Sequence, residues 1–159
     1  MPGRRKLRVL FLCTGNSCRS QMAEGWAREL LGDIIEPCSA GIRPEPLDPL
    51  AVRVMAEAGV DISRQRSKRV EELADLGFDL VVTVCDQARE HCPVLPGRVR
   101  QMHAGFDDPP HLAAAARSPD EALPHYRRVR DEIRRFVESL RQVLAREWAR
   151  SAGNPPTAP

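Results

Sequence analysis

Apolar and polar positions alternate along the chain in blocks that switch period between strand and helix. Leu7 to Cys13 is a short apolar run rich in Val and Leu, as a buried strand requires. After a polar loop, Met22, Ala23, Trp26, Ala27, Leu30 and Leu31 recur at helical spacing, and Gly32 stops them. Ile34 to Ala40 reads as a second strand. Asp48-Pro49 reads as an N-cap followed by proline at the first helical position, and Leu50, Val54, Met55 and Ala58 carry that helix to Gly59. Ser67 is placed to cap a further short helix through Leu73. Phe78 to Cys85 is the clearest strand, and Val99 to His103 a weaker one. Val129, Ile133, Phe136, Val137, Leu140, Val143, Leu144 and Trp148 then form one long helical stripe. Ser118 to Glu121 resembles a capping box, with a break or restart expected at Pro124.

Strands alternating with helices imply βαβ crossovers, hence a parallel sheet with helices on both faces and one α/β domain over residues 7–150. Residues 1–6 and 151–159 read as flexible tails. Ligands of such sheets sit beyond the carboxyl ends of the strands, the edge at which Cys13, Cys85 and the segment after His103 emerge.

Composition narrows the classes. The 24 basic and 22 acidic residues nearly cancel at +2 and are interspersed, so no basic stripe marks a nucleic-acid face. The cluster from Arg64 to Arg69 reads as a solvated turn. Val9 to Cys13 is too short for a signal-peptide core or a membrane span, which leads us to expect a cytoplasmic, membrane-free protein. In that compartment the five cysteines are packing residues, metal ligands or reactive thiols rather than a disulfide framework.

Cys13-Thr14-Gly15-Asn16-Ser17-Cys18-Arg19-Ser20 lies between a strand and a helix. Small or flexible residues let this backbone curl with its N–H groups inward, and Gly15 and Asn16 tolerate left-handed conformations. The helix that follows adds unpaired amides and its positive dipole end, which together favour an oxyanion. Arg19 is placed to fork onto two oxygens of that anion. The same field is expected to hold Cys13 as a thiolate near neutral pH, with Ser20 as a further hydrogen-bond donor to it.

Cys85 closes a strand and Cys92 follows seven residues later. Read alone, they are a buried core thiol and an incidental surface thiol, or, with His91 and His103, a zinc set of unusual spacing. Asp107-Asp108-Pro109 supplies either a proton donor or a capped turn. Cys18 and Cys38 read as small packing residues.

The loop, with the following Gln21 to Trp26, Ser39 to Ile42 and Gly105 to Pro109, resembles the low-molecular-weight protein tyrosine phosphatase superfamily. Within it the chain is similar to the thioredoxin-coupled arsenate reductases, over roughly Arg8 to Arg146. The resemblance implies a four-stranded parallel sheet and reduction of arsenate, with phosphate or sulfate as analogues. It assigns Cys13 as nucleophile, Asp108 as acid, and Cys85 and Cys92 as a relay ending in a disulfide reduced by thioredoxin. No tightly bound cofactor is implied, and a monomer is expected. Some members hold potassium through an Asn, a Glu, a Ser and an Asp. The matching positions are Asn16, Glu24, Ser39 and Lys68, and Lys68 departs from the acidic ligand, so its ammonium is expected to stand in for the ion. Two rivals remain: a tyrosine phosphatase using Cys13, Arg19 and Asp108, and a redox or oxyanion sensor built on the Cys85–Cys92 switch.

Overall fold

The computed structural model describes residues 5–153. Four strands, β1 (Leu7–Cys13), β2 (Ile35–Gly41), β3 (Leu80–Thr83) and β4 (Arg100–His103), form one parallel sheet in the order β2-β1-β3-β4. Between and after them run α1 (Arg19–Leu31), α2 (Pro49–Glu57), a 3₁₀ helix (Val70–Leu76), α3 (Asp86–Glu90), α4 (Pro109–Leu112) and α5 (Pro119–Gly153). Successive strand residues point to opposite faces, so a strand buried at every position is covered on both. Val9, Leu10, Phe11 and Leu12 have no exposure at all, which puts β1 at the centre of the core. The expected α/β architecture is therefore present.

Strand order reverses about β1, with β2 on one side and β3 on the other. In parallel sheets this switch point opens a crevice at the carboxyl edge. In register, Cys13 pairs with Gly41, Leu12 with Thr83, and Thr83 with His103. The sheet thus brings Cys13 and His103, with Cys85 just past β3, to the same carboxyl edge.

Helix α2 begins as the Asp48-Pro49 signal predicts, with Asp48 Oδ1 accepting from the Leu50 amide at 2.9 Å. Three expectations are corrected. Ser67 caps no helix: the segment after it is the 3₁₀ helix Val70–Leu76, and the Ser67 hydroxyl donates instead to the Gly15 carbonyl. Pro124 does not break the last helix, which runs unbroken from Pro119. As the sixth helical residue it removes one N–H near the start, while Leu123, Tyr126, Val129, Ile133, Val137, Leu140 and Leu144 bury the helix along its length. Val143 is 43% exposed and lies off that stripe. Residues 1–4 and 154–159 of the expected tails, and the side chain of Trp148, lie outside the described residues.

Helix α5 packs on α1 and α2. The Trp26 indole donates to the Arg130 carbonyl at 3.1 Å, and the Arg134 guanidinium lies 5.0 Å over its ring. Because Ile133 is fully buried in this seam, Ile133→Ala is expected to lower the unfolding free energy by about 2–5 kcal/mol. Urea denaturation checks this, and a loss below about 0.5 kcal/mol would place Ile133 outside the core.

Candidate active site

The loop from Cys13 to Ser20 owes its shape to the segment after β2. The amides of Ile42, Arg43, Glu45 and Asp48 donate to the carbonyls of Cys13, Thr14, Gly15 and Ser17 at 2.8–3.2 Å. The carbonyl of Asn16 is taken by Gln21 Nε2 at 2.9 Å. In a trans peptide the N–H points opposite to the C=O. With five successive carbonyls drawn outward, the amides of residues 14–18 turn toward the centre, and that of Thr14 donates to the Cys13 sulfur.

Asn16 makes the turn possible. Its φ is +49°, a left-handed conformation that Asn tolerates because its short amide bonds locally. Asn16 Nδ2 donates to Ser20 Oγ and Oδ1 accepts from the Lys68 amide, both at 2.9 Å. Gly15, the other expected left-handed position, does not adopt a positive φ. Glycine is needed instead at Gly41, where a Cβ would stand 2.8 Å from the Thr14 carbonyl. Sequence alone offered no signal for that contact.

A cavity of about 370 Å³ opens above the loop, lined by Cys13, Thr14, Arg19, Cys85, Gln87 and Asp108 among others. Arg19 is aimed by the Phe106 carbonyl, which accepts from Nη1 at 3.0 Å, and Phe106 is held edge-on by Phe136 of α5 at 5.9 Å. Arg19 Nη2 stands 3.7 Å from Asp108 Oδ1, while Nε is buried without a protein partner among the described residues. An oxyanion would satisfy that donor. Asp107 faces away, bonded to Arg128 at 2.9 Å, which selects Asp108 as the carboxyl of the site.

Cys13 and Cys85 line the same cavity, and each shifts the other's titration. The expected Cys13 thiolate therefore belongs to a pair of sulfurs. The Cys13 thiol is pushed up, chiefly by its bond to Cys85 and then by burial, against the lowering pull of Arg19 and the Thr14 amide. Cys85 is pulled down to about 5, first by the Cys13 thiol, then by Thr14, the Ala88 amide and Arg19. The two sulfurs therefore titrate as a pair rather than as independent thiols. The Thr14 hydroxyl lies beside the pair, 3.2 Å from Cys85 Sγ and donating to Gln87 Oε1 at 3.2 Å. Ser20, expected to serve Cys13, accepts from Asn16 instead.

Cys92 is not in the cavity. It follows α3, half-buried, with Gln101 Nε2 at 3.8 Å from its sulfur, and burial raises its pKa. All five cysteines are free thiols. Cys18 is buried in the loop, and desolvation raises it well above an ordinary thiol, as a packing residue requires. Cys38 is only half-buried.

The cation positions do come together, but as an ion pair. Glu24 is 5% exposed, and its Oε1 accepts from Ser39 at 2.6 Å with Lys68 Nζ at 3.9 Å, while Oε2 takes Arg28 at 2.9 Å. Both oxygens are engaged by cations or hydroxyl, so these residues do not fit a potassium ion. Nor does any group of three or more metal-ligating side chains assemble among the described residues. His103, one of the proposed zinc ligands, is bonded to Thr83.

The loop, arginine and acid define a class. A family model described as low molecular weight phosphotyrosine protein phosphatase matches residues 8–150, and the chain belongs to that family. Within it, the similarity runs to arsenate reductases. The chain is 48% identical over 138 residues to the arsenate reductase of Bacillus licheniformis, covering 84% of this chain and 97% of that protein. It is 50% identical over 125 residues to the arsenate reductase of Bacillus subtilis, covering 79% and 88%. The solved structure of an arsenate reductase in the phosphate-binding state matches with a TM-score of 0.64 at 30% identity, over 88% of this chain and 98% of that one. No helix among the described residues is long and apolar enough to cross a membrane.

The coupled pair predicts a titration. Only the thiolate alkylates, so Cys85 reacts with iodoacetamide at a rate that is flat near neutral pH and falls as pH drops through about 5. Cys13→Ala removes the largest lowering influence and moves that midpoint up toward an ordinary thiol. Mass-spectrometric mapping of the alkylated peptide follows both, and an unmoved midpoint would mean that the two sulfurs are not coupled.

Proposed function

We propose that this protein reduces arsenate to arsenite, with Cys13 as nucleophile and Cys85 and Cys92 as a disulfide relay regenerated by a thioredoxin-like dithiol. The observation that carries the reading is that Cys13 and Cys85 line one cavity above an oxyanion-binding loop, each shifting the other's titration. A phosphatase needs only the first sulfur. A reductase needs a second within reach of it.

The residues divide the work. The amides of the loop and Arg19 bind arsenate by its negative oxygens. Cys13 passes its proton to the Cys85 thiolate and attacks arsenic, while Asp108 protonates the departing oxygen, which leaves as water. Cys85, after losing its proton again, attacks the Cys13 sulfur. The sulfur–arsenic bond breaks with its electron pair staying on arsenic, so arsenic(V) leaves as arsenite and a Cys13–Cys85 disulfide remains. Cys92 as thiolate then attacks Cys85, releasing the Cys13 thiolate and leaving a Cys85–Cys92 disulfide, which the external dithiol reduces.

Helix α3 stands between the last two sulfurs. At about 1.5 Å of rise per residue, the seven steps from Cys85 to Cys92 span about 10 Å, whereas a disulfide closes only over about 4.4–6.8 Å between Cα atoms. Residues Asp86 to Glu90 must therefore unwind for the relay to finish. Hydrogen exchange is expected to show residues 86–92 protected in the reduced protein and exposed after oxidation, and equal protection in both states would refute the unwinding.

The decisive assay is arsenate-dependent NADPH oxidation in the presence of thioredoxin and thioredoxin reductase. Wild type should turn over, while Cys85→Ser and Cys92→Ser should each lose at least about a hundredfold. The second reading is phosphate-monoester hydrolysis, favoured by the complete set of Cys13, Arg19 and Asp108 at the cavity. Asp108-Pro109 is followed by Pro110 and His111 rather than an aromatic, and the lone Tyr126 hydroxyl is bonded to Asp48 at 2.5 Å. Protein that hydrolyses phosphotyrosine but leaves arsenate untouched would make this second reading the correct one.

A further inference from the structure

The strand pair β3 and β4 carries a small polar network that the steps above leave unused. His103 is the register partner of Thr83, and the Thr83 hydroxyl lies 2.8 Å from His103 Nδ1. That contact fixes the ring and turns Nε2 toward the cavity edge, 3.3 Å from Asp86 Oδ1. Asp86 is the residue immediately after Cys85 and the first of α3. Asp86 also pairs with Arg89 at 3.7 Å, which stays within α3. Among the described residues, His103 is thus the sheet side chain that stands against Asp86. Gly105 makes room for the ring, since a Cβ there would stand 3.2 Å from Nε2.

We propose that His103 is a positioning residue for the reduction step: through Asp86 it ties the start of α3 to the sheet edge and so holds the Cys85 sulfur against Cys13. The inference rests on the reductase reading and assigns a residue to its second half.

Chain geometry explains why such a tether is needed. Residue 84 is bound on both sides, its amide to the Leu12 carbonyl and its carbonyl to the Phe106 amide. Beyond it the backbone leaves the sheet, and Cys85 caps α3, its carbonyl accepting from the Arg89 amide. Its sulfur must meet Cys13 along the line of the bond to be broken, while the helix that follows must later let go. A side-chain link to an exposed carboxylate serves both demands, because it positions the helix without burying it. The oxyanion loop does not depend on the link, being shaped by residues 42–48 and Gln21. Binding and reduction should therefore respond differently to its loss.

The test is a single turnover with stoichiometric arsenate and no external reductant, following arsenite release and thiol loss, alongside the phosphate concentration that protects Cys13 from alkylation. His103→Ala should slow arsenite release about tenfold and leave phosphate protection within about twofold. His103→Gln, which keeps a donor near the Nε2 position, should restore most of the rate. Asp86→Ala, at an exposed site, should match His103→Ala, and the double variant should be no slower than either. Release at the wild-type rate in His103→Ala or Asp86→Ala, additive losses in the double variant, or phosphate protection lost in parallel would each overturn the assignment. Wild-type protein that forms no arsenite sinks the reductase reading and this one with it, whereas unchanged turnover in the variants sinks this one alone.

Discussion

Everything at the catalytic edge depends on the outward pull exerted on the carbonyls of the Cys13 loop. Five successive peptide oxygens are claimed by donors outside the loop, four of them backbone amides from residues 42–48 and one the side chain of Gln21. Peptide planarity then leaves the amides no choice but to face inward. The resulting cup is positive without carrying a charge of its own, apart from Arg19. Asn16, Gly41 and the Phe106 carbonyl are the supports that keep it open.

The second organising feature is the contact between two sulfurs that arrive from neighbouring strands. Cys13 ends β1 and Cys85 follows β3, the two strands that flank the crevice of the sheet. Placing them at one cavity couples their titrations, pushing Cys13 up and drawing Cys85 down. The third sulfur, Cys92, is kept away by a five-residue helix. On the proposed relay, separation in space becomes order in time, because Cys92 reaches Cys85 only after that helix yields.

A further consequence concerns charge beneath the loop. Glu24 is buried, yet Ser39, Arg28 and Lys68 surround it, and Lys68 also bonds through its amide to Asn16. The Lys68 ammonium, 3.9 Å from Glu24 Oε1 and donating to the Arg66 carbonyl, brings a positive charge beside that carboxylate. Desolvation, the leading influence, lowers the Lys68 pKa, and Glu24 partly offsets it.

Periodicity and local signals were enough for the elements, the parallel sheet and the loop, since a strand, a small-residue turn and a helix in sequence are specified by neighbours along the chain. That Cys13, Arg19 and Asp108 would meet at one cavity was legible too, the last only by resemblance until Asp107 was seen bonded to Arg128. What the chain order left open were relations between residues far apart. A thiolate at Cys13 is expected from the loop's local field, whereas its coupling to Cys85 comes from a neighbour on another strand. Gly41 under Thr14, Ser67 on Gly15 and His103 against Asp86 are likewise decided by which strands become neighbours. The unbroken helix through Pro124 has the same cause: burial along α5 outweighs a local preference to stop, and burial exists only once the sheet and its helices have assembled.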